Sequence, residues 1–174
     1  MASDTKNVKL GVCTVFLDGK DLGYTQGGVQ VSVKTDTHKV NIDQFGKTTV
    51  NELIMSRDVS AKVPLAETTI ENMVAIMPGA TLVNDGEGGK HVEVDSGIGI
   101  DLLSIAKELR LHPINKAVDD YSEDFVIPLA ATAGGLDFAY EVEKERIFNV
   151  EFTGYPDPVT KKLFKVGSAP AVAP

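Results

Sequence analysis

Residues 27–67 constrain the fold more than any other part of the chain, because apolar residues fall at every second position in two separate runs. The runs are Val29, Val31, Val33 and Val59, Ala61, Val63, Leu65, with polar residues at the intervening positions. A period of two is typical of half-buried antiparallel strands. The pattern therefore predicts two β-strands.

The segment between these runs, Thr35 to Met55, is several times longer than the two to five residues usual in a hairpin loop. Its composition is unlike that of a disordered segment, since it contains Val40, Ile42, Phe45, Val50, Leu53, Ile54 and Met55. Long inserted loops in compact domains tend to be functional. We therefore expect an arm that docks on another surface.

Length and composition set the broad class. A chain of 174 residues with 43% apolar and 24% charged residues is typical of one globular domain. The net charge of -8 opposes binding to nucleic acids and anionic membranes. The single cysteine excludes an internal disulfide. The N-terminus lacks an apolar signal core, and no run approaches the ~18 apolar residues of a membrane span, so neither export nor insertion is expected.

A helix is predicted from Thr69 to Met77. Its apolar stripe is Ile70, Met73, Val74 and Met77, its capping box is Thr68 with Glu71, and Pro78 ends it. A short helical turn and then a strand are expected between Ile100 and Leu111.

Strands are expected over most of the remaining chain. They cover 8–17, 91–95, 162–166, and three alternating runs, Phe125/Ile127/Leu129, Leu136/Phe138/Tyr140/Val142 and Phe148/Val150/Phe152. Together, the predicted elements indicate a mainly β fold, a β-sandwich or barrel with a flanking α-helix and a long inter-strand arm. We expect one domain over 1–167 and a flexible tail over 168–174.

Catalytic and metal-binding motifs find little support. The glycines at 97 and 99 lack the third glycine of a dinucleotide fingerprint, and the Gly86–Lys90 segment lacks the Ser/Thr of a phosphate loop. His38, His91 and His112 are scattered, and Cys13 sits among apolar neighbours. We therefore expect no enzyme, no cofactor and no metal.

The β-rich last third has an acidic polar face in this interpretation. Asp137, Glu141 and Glu143 alternate with one apolar run, and Asn149, Glu151 and Thr153 alternate with the next. Acidic residues of this kind often do no more than solvate an outer sheet face, and the sequence leaves that alternative open.

Several short motifs follow one another in a distinctive order. They are Phe-Leu-Asp-Gly at 16–19, Leu-Gly-Tyr-Thr-Gln-Gly-Gly-Val at 22–29, Asp-Gln-Phe-Gly at 43–46, Val-Asn at 50–51, Leu-Ala-Glu-Thr at 65–68, Leu-Arg-Leu-His-Pro at 109–113, Phe-Val-Ile-Pro at 125–128, Val-Glu-Phe-Thr-Gly-Tyr-Pro-Asp at 150–157, and Leu163-Phe164 before Gly167. In this order the chain resembles the major tail tube proteins of long-tailed, siphovirus-like bacteriophages, over roughly residues 10–167. The second motif combined with Asp-Gln-x-Gly in the arm is the most specific part.

The resemblance implies a structural virion protein, made and assembled in the host cytoplasm, that forms hexameric rings stacked into a tail tube. Double-stranded DNA would pass through the tube without specific binding. The implied partners are other copies of the chain, the tape measure, the tail terminator and distal tail proteins. Arm residues expected to contact a neighbour are Lys39, Val40, Ile42, Asp43, Gln44, Phe45 and Lys47.

Candidate lumen-facing residues are Asp137, Glu141, Asn149 and Glu151. The less acidic sets Gln30/Ser32/Lys34 and Asp58/Ser60/Lys62 compete for the same role. A duplex carries about one charge per 1.7 Å, so an acidic wall would keep it from adhering.

Two other classes stay open. A β-sandwich binding module on a virion or cell surface would use aromatic loop residues, of which Tyr24, Tyr121 and Tyr155 are the candidates. A small enzyme on a β-barrel would need convergent polar groups in a pocket.

Overall fold

The computed structural model describes residues 4–5, 8–9, 11–86 and 88–167. The elements in chain order are β1 Cys13–Leu17, β2 Lys20–Asp21, β3 Gln30–Asn41, β4 Thr49–Leu65, α1 Ile70–Ile76, β5 Ala80–Asn84, β6 Lys90–Val94, β7 Lys107–Pro113, β8 Phe125–Thr132, β9 Phe148–Gly154 and β10 Lys165–Val166. The tail predicted to be flexible, 168–174, lies outside the described residues.

Antiparallel pairing joins eight of these strands into one sheet in the described part of the chain. The order is β2-β1-β7-β8-β9-β4-β3, with β10 on the side of β8, while β5 and β6 form a separate hairpin. The junction between β8 and β9 is short, since only Ala130–Thr132 pair with Phe152–Gly154. The sheet folds over at this junction, and the predicted β-sandwich with a flanking helix is confirmed.

The core lies between the two halves of the sandwich. One half contributes Val15, Leu17, Leu109, Leu111 and Ile127; the other contributes Val59, Ala61, Val63, Leu65, Phe148, Val150 and Phe152. Strict alternation buries every second residue of β9 and exposes the others. This alternation fixes the register, because a slip of one residue would turn the apolar side chains of β9 to water.

Helix α1 lies beside this core, and its N-cap residue is one position later than the predicted one. Thr69 is the N-cap, and its hydroxyl accepts a hydrogen bond from the Asn72 N–H at 3.1 Å. The buried Asn72 amide donates to the carbonyls of Leu22 and Glu67 at 2.8 and 2.9 Å. Thr68 is not the cap, and its hydroxyl accepts a hydrogen bond from the Arg146 guanidinium. The predicted box was therefore wrong by one position.

Other sequence predictions have mixed outcomes. The strand at 91–95 is confirmed as β6, whereas β5 was not predicted. The final strand is shorter than the predicted 162–166. Turns occupy 102–105 before β7, so the expected helical turn there is not an α-helix.

Candidate functional site

The exposed side of β9, β4 and β3 is a polar surface. Strand β9 and the body half of β4 bury their apolar side chains on the core side, and the opposite side of the three strands bears residues that are exposed or half-buried. We call this surface the polar face; it consists of Gln30, Ser32, Lys34, Asp58, Ser60, Lys62, Asn149, Glu151 and Thr153.

The register places opposite charges next to each other on the polar face. Lys62 lies directly across from Glu151 on β9, with 4.0 Å between Nζ and Oε2, and across from Gln30 on β3. Two rows further along, beyond Ser32 and Ser60, Lys34 lies directly across from Asp58. The two lysines of this face are therefore each matched by a carboxylate.

A shallow groove of about 630 Å³ crosses one end of the polar face. Lys62, Asn149 and Glu151 line it together with Gly27 and Gly28. Both glycines have positive φ, 96° and 85°, a conformation that favours residues without a Cβ. The chain turns here from Gln26 into β3, and the two glycines leave no side chain in the groove.

The polar face brings together sets of residues that the sequence treats as alternatives. Asn149 and Glu151 share it with both competing sets. Asp137 lies beside it, where its carbonyl accepts hydrogen bonds from the N–H and the side-chain amide of Asn149, both at 3.4 Å. Glu141 lies away in a turn, paired with Lys144 at 2.8 Å.

The strand predicted from Leu136 to Val142 is wrong. This segment has only isolated bridges in place of a ladder. Arg146 holds it instead: its guanidinium donates to the Thr68 hydroxyl at 2.7 Å and to the Tyr140 hydroxyl at 3.1 Å. The same group lies 5.9 Å from the centroid of the Phe138 ring. These contacts favour an irregular loop over pairing as a strand.

The arm is a continuation of the sheet and not a separate loop. Strand β4 pairs with β9 only from Val59 onward, so Thr49–Asp58 extends beyond the body paired with β3 alone. At the usual strand rise of about 3.3 Å per residue, this two-stranded ribbon projects about 30 Å. A 3-10 turn at Asp43–Phe45 closes its tip, and Gly46 leaves that turn with φ 63°.

Hydrogen bonds within the ribbon hold the arm extended. Thr37 donates to Glu52 at 2.5 Å, and Ser56 donates to Asp36 at 3.2 Å. The register shifts between Asp36 and Thr37, which is typical of a β-bulge that bends and twists a strand.

The surface of the arm is rich in exposed apolar side chains. Of the predicted contact residues, Val40 is half-buried and the others are exposed: Lys39, Ile42, Asp43, Gln44, Phe45 and Lys47. The returning strand adds Val50, Leu53, Ile54 and Met55, which the contact prediction left out. The three consecutive apolar residues at 53–55 were the sequence feature that could have added these positions to the contact prediction. Cross-strand pairing places Leu53 opposite His38 and Ile54 opposite Thr37.

A buried polar cluster lies on the other half of the sandwich. The Nδ1 atom of His112 is 2.7 Å from Asp124 Oδ1, and Arg110 Nε is 3.9 Å from Asp124 Oδ2. The Arg110 guanidinium lies between the rings of Phe16 and Tyr121, 4.9 Å from each centroid. This cluster ties β7 to the loop that precedes β8.

Two further observations concern chemistry. Burial raises the pKa of the Cys13 thiol, which disfavours the reactive thiolate. Across the described ranges, no group of three or more His, Cys, Asp and Glu side chains is placed to hold a metal ion.

None of the helices in the described ranges has the length and apolar character needed to cross a membrane.

The likeness of this chain to known proteins is one of structure. No protein-family model matches the sequence. No curated protein matches it either. Among solved structures, the chain aligns with one from the virion of a native gene transfer agent (GTA) particle, with 10% identity and a TM-score of 0.43, over 96% of this chain and 100% of that one.

Proposed function

We propose that this protein is a virion structural protein, the tail tube protein of a long-tailed phage or phage-like particle. Copies of the chain would form hexameric rings that stack into a tube, and duplex DNA would pass through the tube into the host. The proposal assigns the chain no catalytic role and no cofactor. The observation that carries it is the open edge of β3, which runs from the body into the arm.

This edge has the properties of an assembly contact. Among the described residues, β3 pairs only with β4, so its other side presents unpaired N–H and C=O groups over much of its twelve residues. Val31 and Val33 point to the core side, yet 36% and 43% of their surfaces are exposed. Long open edges with exposed apolar residues are sites of strand pairing between chains. A head-to-tail contact of such an edge with a different surface of the next copy closes into a ring.

The arm supports the stacking of rings. It leaves the body at the Val59 end of β4, whereas Tyr24 and the 133–147 loop lie at the Leu65 end. The two ends of the subunit therefore differ, as a contact that repeats along an axis requires. Exposed apolar residues of the arm would be covered by a copy in the next ring.

The position of the polar face supports its assignment as the inner wall of the tube. It is the side of the β9-β4-β3 sheet turned away from the core, so pairing through the β3 edge would bring the polar faces of neighbours into one surface. We assign the lumen to this face, including Asn149 and Glu151, with Asp137 at its margin. A stack open at both ends would need other proteins, of the tape measure, terminator and distal tail classes, to set its length and close it.

Negative-stain microscopy of concentrated purified protein tests the proposal. Rings or tubes with a hollow axis are expected. Monomers at every concentration, together with absence of the chain from purified particles, would refute it.

A variant pair tests the edge itself. Val33→Lys places a charge on the half-exposed apolar side of β3, and Ser32→Lys adds the same charge to the polar face of the same strand. We expect Val33→Lys to abolish rings while Ser32→Lys retains them, with both variants melting cooperatively. Rings formed by the Val33→Lys variant would contradict the role of the edge.

A binding module is the second candidate function. It is favoured by Tyr24 and Tyr140, each 80% exposed and both at the end of the sandwich opposite the arm. Replacing both tyrosines by alanine would abolish recognition of a receptor or glycan in that case. Normal tubes from the wild-type chain favour the tail tube instead.

A further inference from the structure

The lysines of the polar face each have a carboxylate as cross-strand neighbour. Lys62 faces Glu151 on β9, and Lys34 faces Asp58 on β4. The remaining polar-face residues, Gln30, Ser32, Ser60, Asn149 and Thr153, are uncharged. The two positive and two negative charges of these nine residues cancel, and Asp137 lies at the margin of the face.

We propose that Glu151 and Asp58 are shielding residues, which neutralise Lys62 and Lys34 so that duplex DNA can move along the polar face without being held. This inference rests on the proposed function, in which the polar face lines a DNA conduit. In this inference the two carboxylates keep the wall of the conduit from holding duplex DNA, which is a polyanion.

The cross-strand register supports shielding. Cβ atoms of directly opposed residues lie about 5 Å apart, well within the screening length of about 8 Å at physiological salt. A DNA phosphate that is farther from the lysine than the carboxylate is therefore meets a dipole in place of a positive charge. Without the carboxylates, every copy in a ring would offer two lysines to the duplex, and affinity for DNA rises steeply with the number of phosphates neutralised.

The contribution of the carboxylates to stability does not explain their placement. The Lys62 and Glu151 side chains are 62% and 54% exposed, and exposed ion pairs contribute little to the free energy of unfolding. Their aliphatic stems still allow the lysines to cover the sheet surface between rows of short hydroxyl side chains. The arrangement thus keeps the long stems and cancels the charge at their ends.

The double variant Asp58→Asn/Glu151→Gln tests the inference, because it removes both charges with little change of shape. Assembly is first checked by microscopy. Tubes are then incubated with a short fluorescent DNA duplex at low and physiological salt, sedimented, and assayed for retained DNA. We expect wild-type tubes to retain almost none. The variant should retain at least tenfold more at low salt and lose it as salt rises.

Two further variants make the result specific. Glu93→Gln/Glu108→Gln removes the same charge from exposed positions off the polar face, and its tubes should behave like the wild type. Adding Lys34→Gln and Lys62→Gln to the double variant should abolish retention again.

Each outcome separates the inference from the proposed function. If wild-type protein never forms tubes, the proposed function fails, and this inference fails with it. If tubes form but the double variant retains no more DNA than the control, only the shielding role is overturned. Should the double variant not assemble, Glu151→Gln alone carries the same test with the same expected direction.

Discussion

His112 and Asp124 form a buried hydrogen bond between β7 and the loop before β8, with 2.7 Å between Nδ1 and Oδ1. The Asp124 side chain is fully buried, and Arg110 approaches its other oxygen. The backbone of Asp124 also accepts a hydrogen bond from Gly167 N–H, which holds the end of β10. One residue thus connects three segments that are distant in sequence.

Removing this carboxylate should destabilise the fold strongly. Asp124→Ala leaves His112 and Arg110 without their buried partner, and such a loss typically costs about 3 kcal/mol or more. Asp124→Asn keeps an acceptor oxygen and should cost less. The free energy of unfolding in urea measures both, with Asp119→Ala on a nearby exposed carboxylate as a nearly neutral control. Equal stability of Asp124→Ala and Asp119→Ala would contradict the role of the cluster.

Gly154 should tolerate no side chain. It lies where β4, β8 and β9 meet, and a Cβ there would come within 2.4 Å of a Val59 methyl and 2.7 Å of an Ile127 methyl. We expect Gly154→Ala to destabilise the protein by about 1–3 kcal/mol, the usual effect of overpacking. Thermal melts should show no such loss for Gly135→Ala, since nothing lies near the Cβ position of Gly135.

Shortening the arm should prevent assembly without unfolding the body. Because His38 pairs with Leu53, replacing Lys39–Glu52 by Asn-Gly joins the two strands in register through a two-residue turn. The shortened chain should melt cooperatively, remain monomeric by analytical ultracentrifugation and form no tubes. A full-length chain with Lys39→Arg and Lys47→Arg should assemble normally. Tubes of normal length from the shortened chain would refute the role of the arm.

The loop before β8 should lose stability in acid. Hydrogen bonds from the Ser122 hydroxyl and backbone N–H, followed by that from Lys116, lower the pKa of Asp120 from 3.8 to about 2. The folded state therefore favours the carboxylate, so this stabilisation is complete above about pH 5 and is lost as the pH falls toward 2.

Asp120→Asn should accordingly be less stable than the wild type at pH 6, with the difference shrinking as the pH approaches 2. Urea unfolding at a series of pH values measures this. The matched control is Asp119→Asn, which changes an exposed carboxylate one position earlier in the chain. A difference between wild type and Asp120→Asn that stays constant with pH would rule out this origin.

The sequence predicts the strands whose alternation is decided by burial. In β9, Phe148, Val150 and Phe152 are all buried and the residues between them are exposed, as their pattern indicates. In the body half of β4, alternate residues from Val59 to Leu65 are buried, and those between them are half-buried or exposed. For these strands, hydrophobic periodicity and tertiary packing agree.

Where a contact from a distant residue decides the structure, the pattern fails. The alternation from Leu136 to Val142 resembles that of a strand, but Arg146 pins this segment to Thr68. Arg146 and Thr68 are 78 residues apart in the sequence, so the pattern of neighbouring residues could not predict this contact.

The candidate site was predictable in its residues and not in its geometry. The arm was visible as a long segment with apolar residues, yet nothing local showed that its two sides pair as a ribbon. The polar residues of β3, β4 and β9 were all identified, but only the order β9-β4-β3 places them on one face. Strand order is set by long-range pairing, which periodicity does not contain.

Strand β4 runs without a break from Thr49 in the arm to Leu65 in the body. A tensile load on the arm would act along the axis of that strand, parallel to its neighbours. The bonds to β3 and β9 would then be strained together in shear, not peeled apart one after another. The projecting part of each subunit is thereby anchored mechanically in the same strand that carries Asp58 and Lys62.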